Sequence, residues 1–279
     1  MGFVDIIQVI FYGIVEGITE WLPISSTGHL ILFENFWPLK ADAEFLEMFR
    51  VLIQLGAIFA VVLLFFQRLN PFSGAKTSRE KKRTIILWIK VVIGCLPAGI
   101  VGLLFDQYME EHFNNWQVVA AMLILYGVLF ILVEYLRRRR GGRPRVTSLS
   151  RMSYGTAFAI GLFQTLSIIP GTSRSGSTIL GATILGVARR PAAEFSFFMA
   201  SPVMLGYSAL KLVKFFVTTG AAFTVPEIIT LLTGMLTAFF VSLLVIKGLL
   251  GFVKKHDFTC FGYYRIVLGL LVIAWFVFR

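Results

Sequence analysis

The chain has 279 residues, of which 57% are hydrophobic and 15% are charged, and its mean hydropathy is +0.81. This composition excludes an ordinary soluble domain and is typical of a polytopic helical membrane protein, and long apolar runs without alternation exclude a transmembrane barrel. The formal net charge of +11 does not indicate a nucleic-acid partner, because the basic residues lie in short segments between apolar runs. Such segments are typical of cytoplasmic loops.

The apolar runs predict an all-α polytopic membrane protein with six transmembrane helices. The runs long enough to cross a bilayer are 47–66, 85–105, 116–136, 195–217, 226–250 and 261–278. Two further apolar segments, 3–35 and 153–186, are interrupted by Pro23 and by Pro170-Gly171, each with hydroxyl residues nearby. Broken helices occur at membrane depth where protein surrounds them or where they line a cavity. We therefore predict two re-entrant helix pairs.

The two halves of the chain repeat one pattern. The aligned residues are Gly13 with Gly161, Glu16 with Gln164, Thr19 with Ser167, and Gly28 with Gly176. Each half, 1–136 and 153–279, is predicted to hold one re-entrant pair and three crossings, with the basic cytoplasmic linker 137–152 between them. An odd number of crossings turns the second half upside down, so 1–279 is predicted to be one membrane domain with an inverted repeat. The two polar breaks are then expected to meet near the midplane.

Lysine and arginine residues indicate which loops face the cytoplasm. Most of them fall in four segments that six crossings place on one side. These segments are 67–84, 137–151, 187–194 and 251–260. The other side carries Lys40 and Arg279, so we expect both termini outside the bacterial inner membrane and the first break to open toward the periplasm. The run Arg137–Arg140 is interpreted as a topology anchor or a contact to anionic membrane lipids.

The first break carries two acids, three hydroxyls and a histidine. Glu16 and Glu20 are four residues apart and share one helix face, where each charge would cost roughly 2.5–3.5 kcal/mol in lipid. Such a pair can bind a divalent cation through oxygen or divide into an acid and a base. The turn that follows can present hydroxyls and backbone N–H groups to an anion. Its candidate binding and reacting residues are Ser25, Ser26, Thr27 and His29, of which Ser26 and His29 are close enough to share a proton.

The second break contains Arg174, whose guanidinium needs a partner at membrane depth and matches two phosphate oxygens. An internal bridge from Arg174 to Glu16 or Glu20 is the alternative. The other residues expected to bind an anion, through hydroxyl donors or close backbone approach, are Gly171, Ser173, Ser175, Gly176 and Thr178. Gln54 is a further polar residue at membrane depth, and it is assigned either to substrate binding or to packing.

Two stretches resemble the motifs of the undecaprenyl-diphosphate phosphatase family, integral-membrane enzymes also described as bacitracin-resistance proteins. Glu16-x-x-x-Glu20 running into Pro-Ile-Ser-Ser-Thr-Gly-His29 is similar to the family's acidic motif. Pro170-Gly-Thr-Ser-Arg-Ser-Gly-Ser-Thr178 is similar to its second motif, and Gln54-Leu-Gly and Glu194-Phe-Ser-Phe extend the similarity over nearly the whole chain. Arg50 departs from the residue expected in relatives, which leaves the surroundings of Gln54 open.

The resemblance implies hydrolysis of undecaprenyl diphosphate to undecaprenyl phosphate, the lipid carrier of peptidoglycan synthesis. The topology predicted from the charge distribution places this reaction at the outer surface of the inner membrane. The resemblance also suggests a homodimer. The functional positions that it carries over are Glu16, Glu20, Ser26, His29, Ser173, Arg174 and Thr178.

The residues are compatible with this chemistry. Glu16 and Glu20 would repel a diphosphate, so a divalent cation, Mg²⁺ or Ca²⁺, is expected to bridge them to it, with Arg174 clamping the phosphates. Ser26 is the candidate nucleophile, with His29 exchanging its proton, and an attacking water is the alternative.

Two readings without hydrolysis compete with this one. A transporter or flippase for an anionic lipid or small anion would also use an inverted repeat with broken helices. Passive anion binding needs no paired carboxylates, however, so the acid pair favours hydrolysis. A structural membrane subunit would leave both polar breaks unexplained.

Overall fold

The structure is a computed structural model that describes residues 3–139, 141, 143–219 and 223–278. These residues form eleven α-helices and one short 3-10 turn, Leu166–Ile168. In chain order the helices are α1 Phe3–Thr19, α2 Ser26–Phe36, α3 Ala43–Leu64, α4 Phe66–Leu69, α5 Ser78–Phe113, α6 Trp116–Arg139, α7 Tyr154–Thr165, α8 Arg174–Ile184, α9 Arg189–Thr219, α10 Val225–Phe252 and α11 Thr259–Phe278.

Six of the described helices, α3, α5, α6, α9, α10 and α11, are long and apolar enough to cross a membrane. This confirms the predicted all-α polytopic class and the six crossings. The prediction was too short at several helix ends, most clearly for α5, which extends well beyond 85–105 in both directions. Its start is polar and is fixed by a capping box, in which Thr77 and Glu80 each bond the backbone N–H of the other. A search for apolar runs does not detect such a turn.

Both interrupted segments are helix pairs that break where the sequence predicts. The chain leaves α1 after Thr19 and starts α2 at Ser26, and it leaves the 3-10 turn at Ile168 and starts α8 at Arg174. The partners of each pair pack against each other, α1 with α2 and α7 with α8. Their re-entrant course through the bilayer stays a prediction.

Helices of each half pack against helices of the other half. Helix α1 packs on α10, and its counterpart α7 packs on α5, while α6 packs on α11 and α3 on α9. The aligned glycines explain the first two contacts. A Cβ on Gly13 would lie 2.8 Å from the carbonyl oxygen of Gly234, and a Cβ on Gly161 would lie 2.2 Å from that of Gly94. The division into two repeats of opposite orientation is compatible with this pairing.

Ion pairs hold together the loops that the charge distribution assigns to one side. Arg189 at the start of α9 donates to both carboxylate oxygens of Glu134 near the end of α6, at 2.9 and 2.8 Å. Arg138 pairs with Asp257 in the loop before α11. These loops therefore lie at one end of the molecule, which we call the basic end. Arg137 to Arg139 belong to the last turn of α6 rather than to the linker, whereas Arg140 and Arg279 lie outside the described residues.

Candidate active site

The two polar breaks meet at the carboxylate of Glu20. Arg174, the first residue of α8, donates from Nη2 to Oε1 of Glu20 at 2.9 Å. Ser26, the first residue of α2, donates from its hydroxyl to Oε2 at 3.2 Å. One acid thus joins a cation from the second half and a hydroxyl from the first. The internal bridge that the sequence offered as an alternative for Arg174 is present, and it lies in the wall of a cleft.

The guanidinium of Arg174 is held from three directions. Its Nη1 donates to the carbonyl oxygen of Ser196 at 2.8 Å, and the group lies over the ring of Trp21 with 5.7 Å to the centroid. Thr178 supports this arrangement, since its hydroxyl is 2.7 Å from that of Ser196. The buried Nε–H has no hydrogen-bond partner among the described residues. Arg174 is therefore fixed in position with one strong donor unused.

Glu16 lies one helical turn before Glu20 and is completely buried. Neither of its carboxylate oxygens receives a hydrogen bond from a described residue. A buried acid in this state is stable only with a proton or a bound cation. Glu16 and Glu20 fit a divalent cation, because Mg²⁺ and Ca²⁺ prefer oxygen ligands and Mg²⁺ is commonly held by one or two carboxylates together with substrate phosphates. No group of three or more acid, histidine or cysteine side chains is arranged for a metal in the described part of the chain.

The cleft at this meeting point has a volume of about 260 Å³. Of the residues that the sequence predicts for the site, it is lined by Glu20, Ser26, Thr27, Gln54, Gly171, Ser173 and Arg174. Apolar side chains, including Val203 and Met204 of α9, complete the wall. Arg50 is elsewhere, since it donates twice to Glu34, at 2.7 and 2.8 Å, in a separate pocket. Its charge is matched there, and it does not share the cleft with Gln54.

Several of the predicted binding residues shape the loops, whether or not they also line the cleft. Ser25 and Ser173 occupy equivalent positions before α2 and α8, both with positive φ, at 72° and 70°. Each side chain accepts the backbone N–H three residues later, from Gly28 at 3.4 Å and Gly176 at 3.1 Å. Ser175 donates to the carbonyl oxygen of Leu22 at 3.1 Å, which ties one break to the other.

Gly171 has a steric role in addition to its place in the cleft. Its φ is +88°, and a Cβ there would lie 2.7 Å from the backbone of Val119. This close approach lets the second break pack directly against α6. Thr178 does not line the cleft; it contacts Ser196, which holds Arg174.

His29 is buried and turned away from Ser26. Its Nδ1 is 2.7 Å from the carbonyl oxygen of Ser25, and its Nε2 is 2.7 Å from the hydroxyl of Tyr264, on whose ring it stacks. The carbonyl requires a hydrogen on Nδ1, so Nε2 accepts from Tyr264 in the neutral ring. The proton sharing predicted between Ser26 and His29 is therefore absent from this structure. Spacing along the helix could not reveal that α11 supplies a competing partner.

Arg265 of α11 was missed in the sequence. It is completely buried, and its Nη groups donate to the carbonyl oxygens of Pro23 at 3.3 Å, Gly171 at 2.8 Å and Thr172 at 3.0 Å. One guanidinium thus holds both breaks through their backbones. The signal was available, because a charged residue inside the apolar run 261–278 marks a functional or structural site by default.

A family model described as bacitracin resistance protein BacA matches residues 9–271. The chain belongs to the BacA family. It is 56% identical over 270 residues to a protein of Streptococcus thermophilus named undecaprenyl-diphosphatase, with 97% of this chain and 93% of that protein covered. Proteins with the same name from Desulfitobacterium hafniense and Enterococcus faecalis are 54% and 52% identical, and the alignments cover 99% and 100% of this chain and 98% and 100% of theirs. The chain is therefore a multi-pass membrane protein of the BacA family, and its two breaks lie within the matched range.

Proposed function

We propose that this BacA-family protein is an integral-membrane phosphatase that converts undecaprenyl diphosphate into undecaprenyl phosphate and phosphate, and that it confers bacitracin resistance by recycling the lipid carrier. The name shared by its full-length relatives supports this substrate. The observation that carries the proposal is the Glu20 carboxylate, which contacts the Arg174 guanidinium and the Ser26 hydroxyl at the wall of one cleft.

Arg174 binds the diphosphate and stabilises charge in the transition state. Its unused Nε–H and its Nη groups form the planar fork that matches two phosphate oxygens. Substrate binding competes with Glu20 for this fork. The carboxylate is then free to act as a base beside Ser26.

Glu20 activates Ser26. The hydroxyl already donates to the carboxylate, so Glu20 can accept its proton as Oγ attacks the terminal phosphorus. A bond from Oγ to phosphorus forms, the anhydride bond to the lipid phosphate breaks, and water then hydrolyses the phosphoserine. In the alternative, Glu20 activates a water that attacks phosphorus directly. His29, bonded to Ser25 and Tyr264, holds the turn that carries Ser26.

Glu16 and Glu20 would hold the divalent cation, Mg²⁺ or Ca²⁺. When bound, it would offset the repulsion between these acids and the diphosphate. The unpaired oxygens of Glu16 support this assignment.

The substrate is proposed to enter from the outer leaflet of the bacterial inner membrane, with both termini outside. The apolar wall at Val203 and Met204 suits the first isoprenoid units of the lipid. A homodimer, which the family resemblance suggests, is a further proposal that a mass measurement in detergent would test.

The deciding experiment measures phosphate release from a polyprenyl diphosphate by purified protein, with and without chelator. We expect cation-dependent release that is lost in folded Glu20→Ala, His29→Ala and Arg174→Ala variants. Trapping of a phosphoserine at Ser26 would support the covalent route, whereas normal turnover by Ser26→Ala would exclude it. If folded wild-type protein in suitable lipid releases no phosphate, the transporter alternative is favoured instead.

A further inference from the structure

A second polar cavity lies at the basic end of the molecule. Its volume is about 390 Å³, and it is formed by the short helix α4, the first turns of α5 and the segment before α7. Three cationic side chains line it, Arg68, Arg83 and Lys90, and no carboxylate is among its described lining residues. The remaining polar residues of its wall carry hydroxyls, which are Thr84, Ser148 and Ser150.

Lys90 is the most informative residue of this cavity, since it is only 4% exposed. Its Nζ donates to the carbonyl oxygens of Leu149 at 3.0 Å and Ser150 at 3.3 Å. An ammonium group has three hydrogens, so these two bonds leave one donor, whose neighbour is the Tyr154 ring with its centroid 5.9 Å from Nζ. No described carboxylate forms an ion pair with it. A buried cation without a counterion is costly, and a bound anion would remove that cost.

The surroundings add more positive charge than they neutralise. Lys76 is fixed behind the wall, with its Nζ 2.8 Å from the hydroxyl of Thr84 and 3.2 Å from the carbonyl oxygen of Arg68. Arg68 pairs with Glu194, but the same carboxylate also pairs with Arg190. The single negative charge of Glu194 is therefore shared by two arginines, so the cavity keeps a net positive charge.

We propose that this cavity binds a phosphate group, carried by an anionic lipid headgroup or by a free phosphate ion. Guanidinium, ammonium and hydroxyl donors around one space are the donors that phosphate oxygens accept most strongly. Ile86, Leu87 and Leu149 make part of the wall apolar, which suits the glycerol end of a lipid. Ile85 and Ile89 of α5 are exposed beside it, so the neighbouring helix surface suits acyl chains. The site is separate from the cleft of Glu20 and does not depend on the proposed phosphatase activity.

The test measures binding of three probes to the purified full-length chain in neutral detergent by calorimetry. The probes are dihexanoyl phosphatidylglycerol, dihexanoylglycerol, which lacks the phosphate, and inorganic phosphate. We expect Arg83→Gln to weaken binding of the phosphate compounds about tenfold, the loss typical of one charged hydrogen bond. Arg83 is exposed, so this variant should fold, and its phosphate release from a polyprenyl diphosphate should be unchanged.

Two further variants make the test specific. Lys82→Gln removes the adjacent positive charge, which does not line the cavity, and should change binding less than twofold. Lys90→Met should abolish binding if the variant folds. Binding of the phospholipid alone identifies a headgroup, binding of phosphate alone identifies the free ion, and binding of both shows that the phosphate group itself is recognised. The proposal fails if neither phosphate compound binds, if dihexanoylglycerol binds equally well, or if Lys82→Gln and Arg83→Gln lose the same affinity.

Discussion

The two breaks have the same backbone conformation, but they supply side chains of opposite charge. Ser25 and Ser173 both adopt positive φ and cap the helix that follows, and Gly28 and Gly176 donate to them. The first break nevertheless supplies a carboxylate, Glu20, to the cleft, and the second supplies a guanidinium cation, Arg174. A repeated turn therefore positions groups from both halves around one point, and neither half contains a complete site. The comparison leads to four predictions.

The largest effect is expected from separating Glu20 and Arg174. Arg174→Ala removes the proposed phosphate clamp and leaves a buried carboxylate without its cation, so phosphate release should fall about a thousandfold. Glu20→Ala should cost about as much. Because the two groups act as a unit, the double variant should be little worse than either single variant. Steady-state release of phosphate by all three proteins measures this.

Arg68→Ala is the matched control, since it removes an arginine from an ion pair with Glu194, and neither residue lines the cleft. It should leave phosphate release nearly unchanged. If the double variant instead loses the product of the single effects, the two breaks contribute independently and the comparison is wrong.

Arg265→Met tests whether one buried side chain holds the two breaks together. The change leaves the carbonyl oxygens of Pro23, Gly171 and Thr172 without their donor, and we expect a loss of about 3 kcal/mol in the free energy of unfolding. Thermal unfolding in detergent measures the loss. Arg265→Lys keeps a cation with three donors and should recover part of the stability.

Arg138→Met provides the comparison for that variant. Arg138 is largely exposed and pairs with Asp257 at the basic end, so its loss should destabilise the protein much less than Arg265→Met does. Equal destabilisation by Arg265→Met and Arg138→Met would show that Arg265 does not hold the two breaks together.

Patterns along the chain predicted the helices and their breaks. The six crossings follow from apolar runs, and Pro23 and Pro170-Gly171 mark the interruptions because proline cannot continue a helix that needs its N–H. The repeat predicted that the breaks converge, and the contact between Glu20 and Arg174 confirms it. Both signals are local or periodic, and a single sequence contains them.

Partners supplied by distant helices were not predictable in the same way. His29 was paired with Ser26 by spacing, whereas the structure turns it to Tyr264, 235 residues further along the chain. Arg265 reaches Pro23 across a similar distance. Such contacts depend on how α11 packs on α6 and α2, and periodicity does not determine that packing. A charged residue inside an apolar run indicates that a partner exists but not which one.

Glu16 and Gln164 are aligned in the repeat, and neither has a hydrogen-bond partner for its side-chain oxygens among the described residues. Glu16→Gln keeps the shape and removes the acid, so the thermal midpoint should stay equal or rise. Phosphate release should fall about a hundredfold, and more cation should be needed for half-maximal activity, because one of the two proposed carboxylate ligands is lost.

The reciprocal change, Gln164→Glu, completes this test. It places an acid at a second-half position that lines the same cleft, and it should lower stability without raising activity. Full activity of Glu16→Gln with an unchanged cation requirement would remove Glu16 from the site.

The smallest effects are expected at the two caps. At φ near +70° a Cβ is strained, so glycine relieves the backbone while it loses the side-chain hydrogen bond, and alanine loses the bond and keeps the strain. Ser25→Ala and Ser173→Ala should therefore each destabilise by about 1 kcal/mol, and the glycine variants should lie within a few tenths of wild type. The thermal midpoints of the four variants show whether the two turns respond to substitution in the same way. If alanine is tolerated in one half and not in the other, the turns are not equivalent, and the similarity of their φ angles has no energetic meaning.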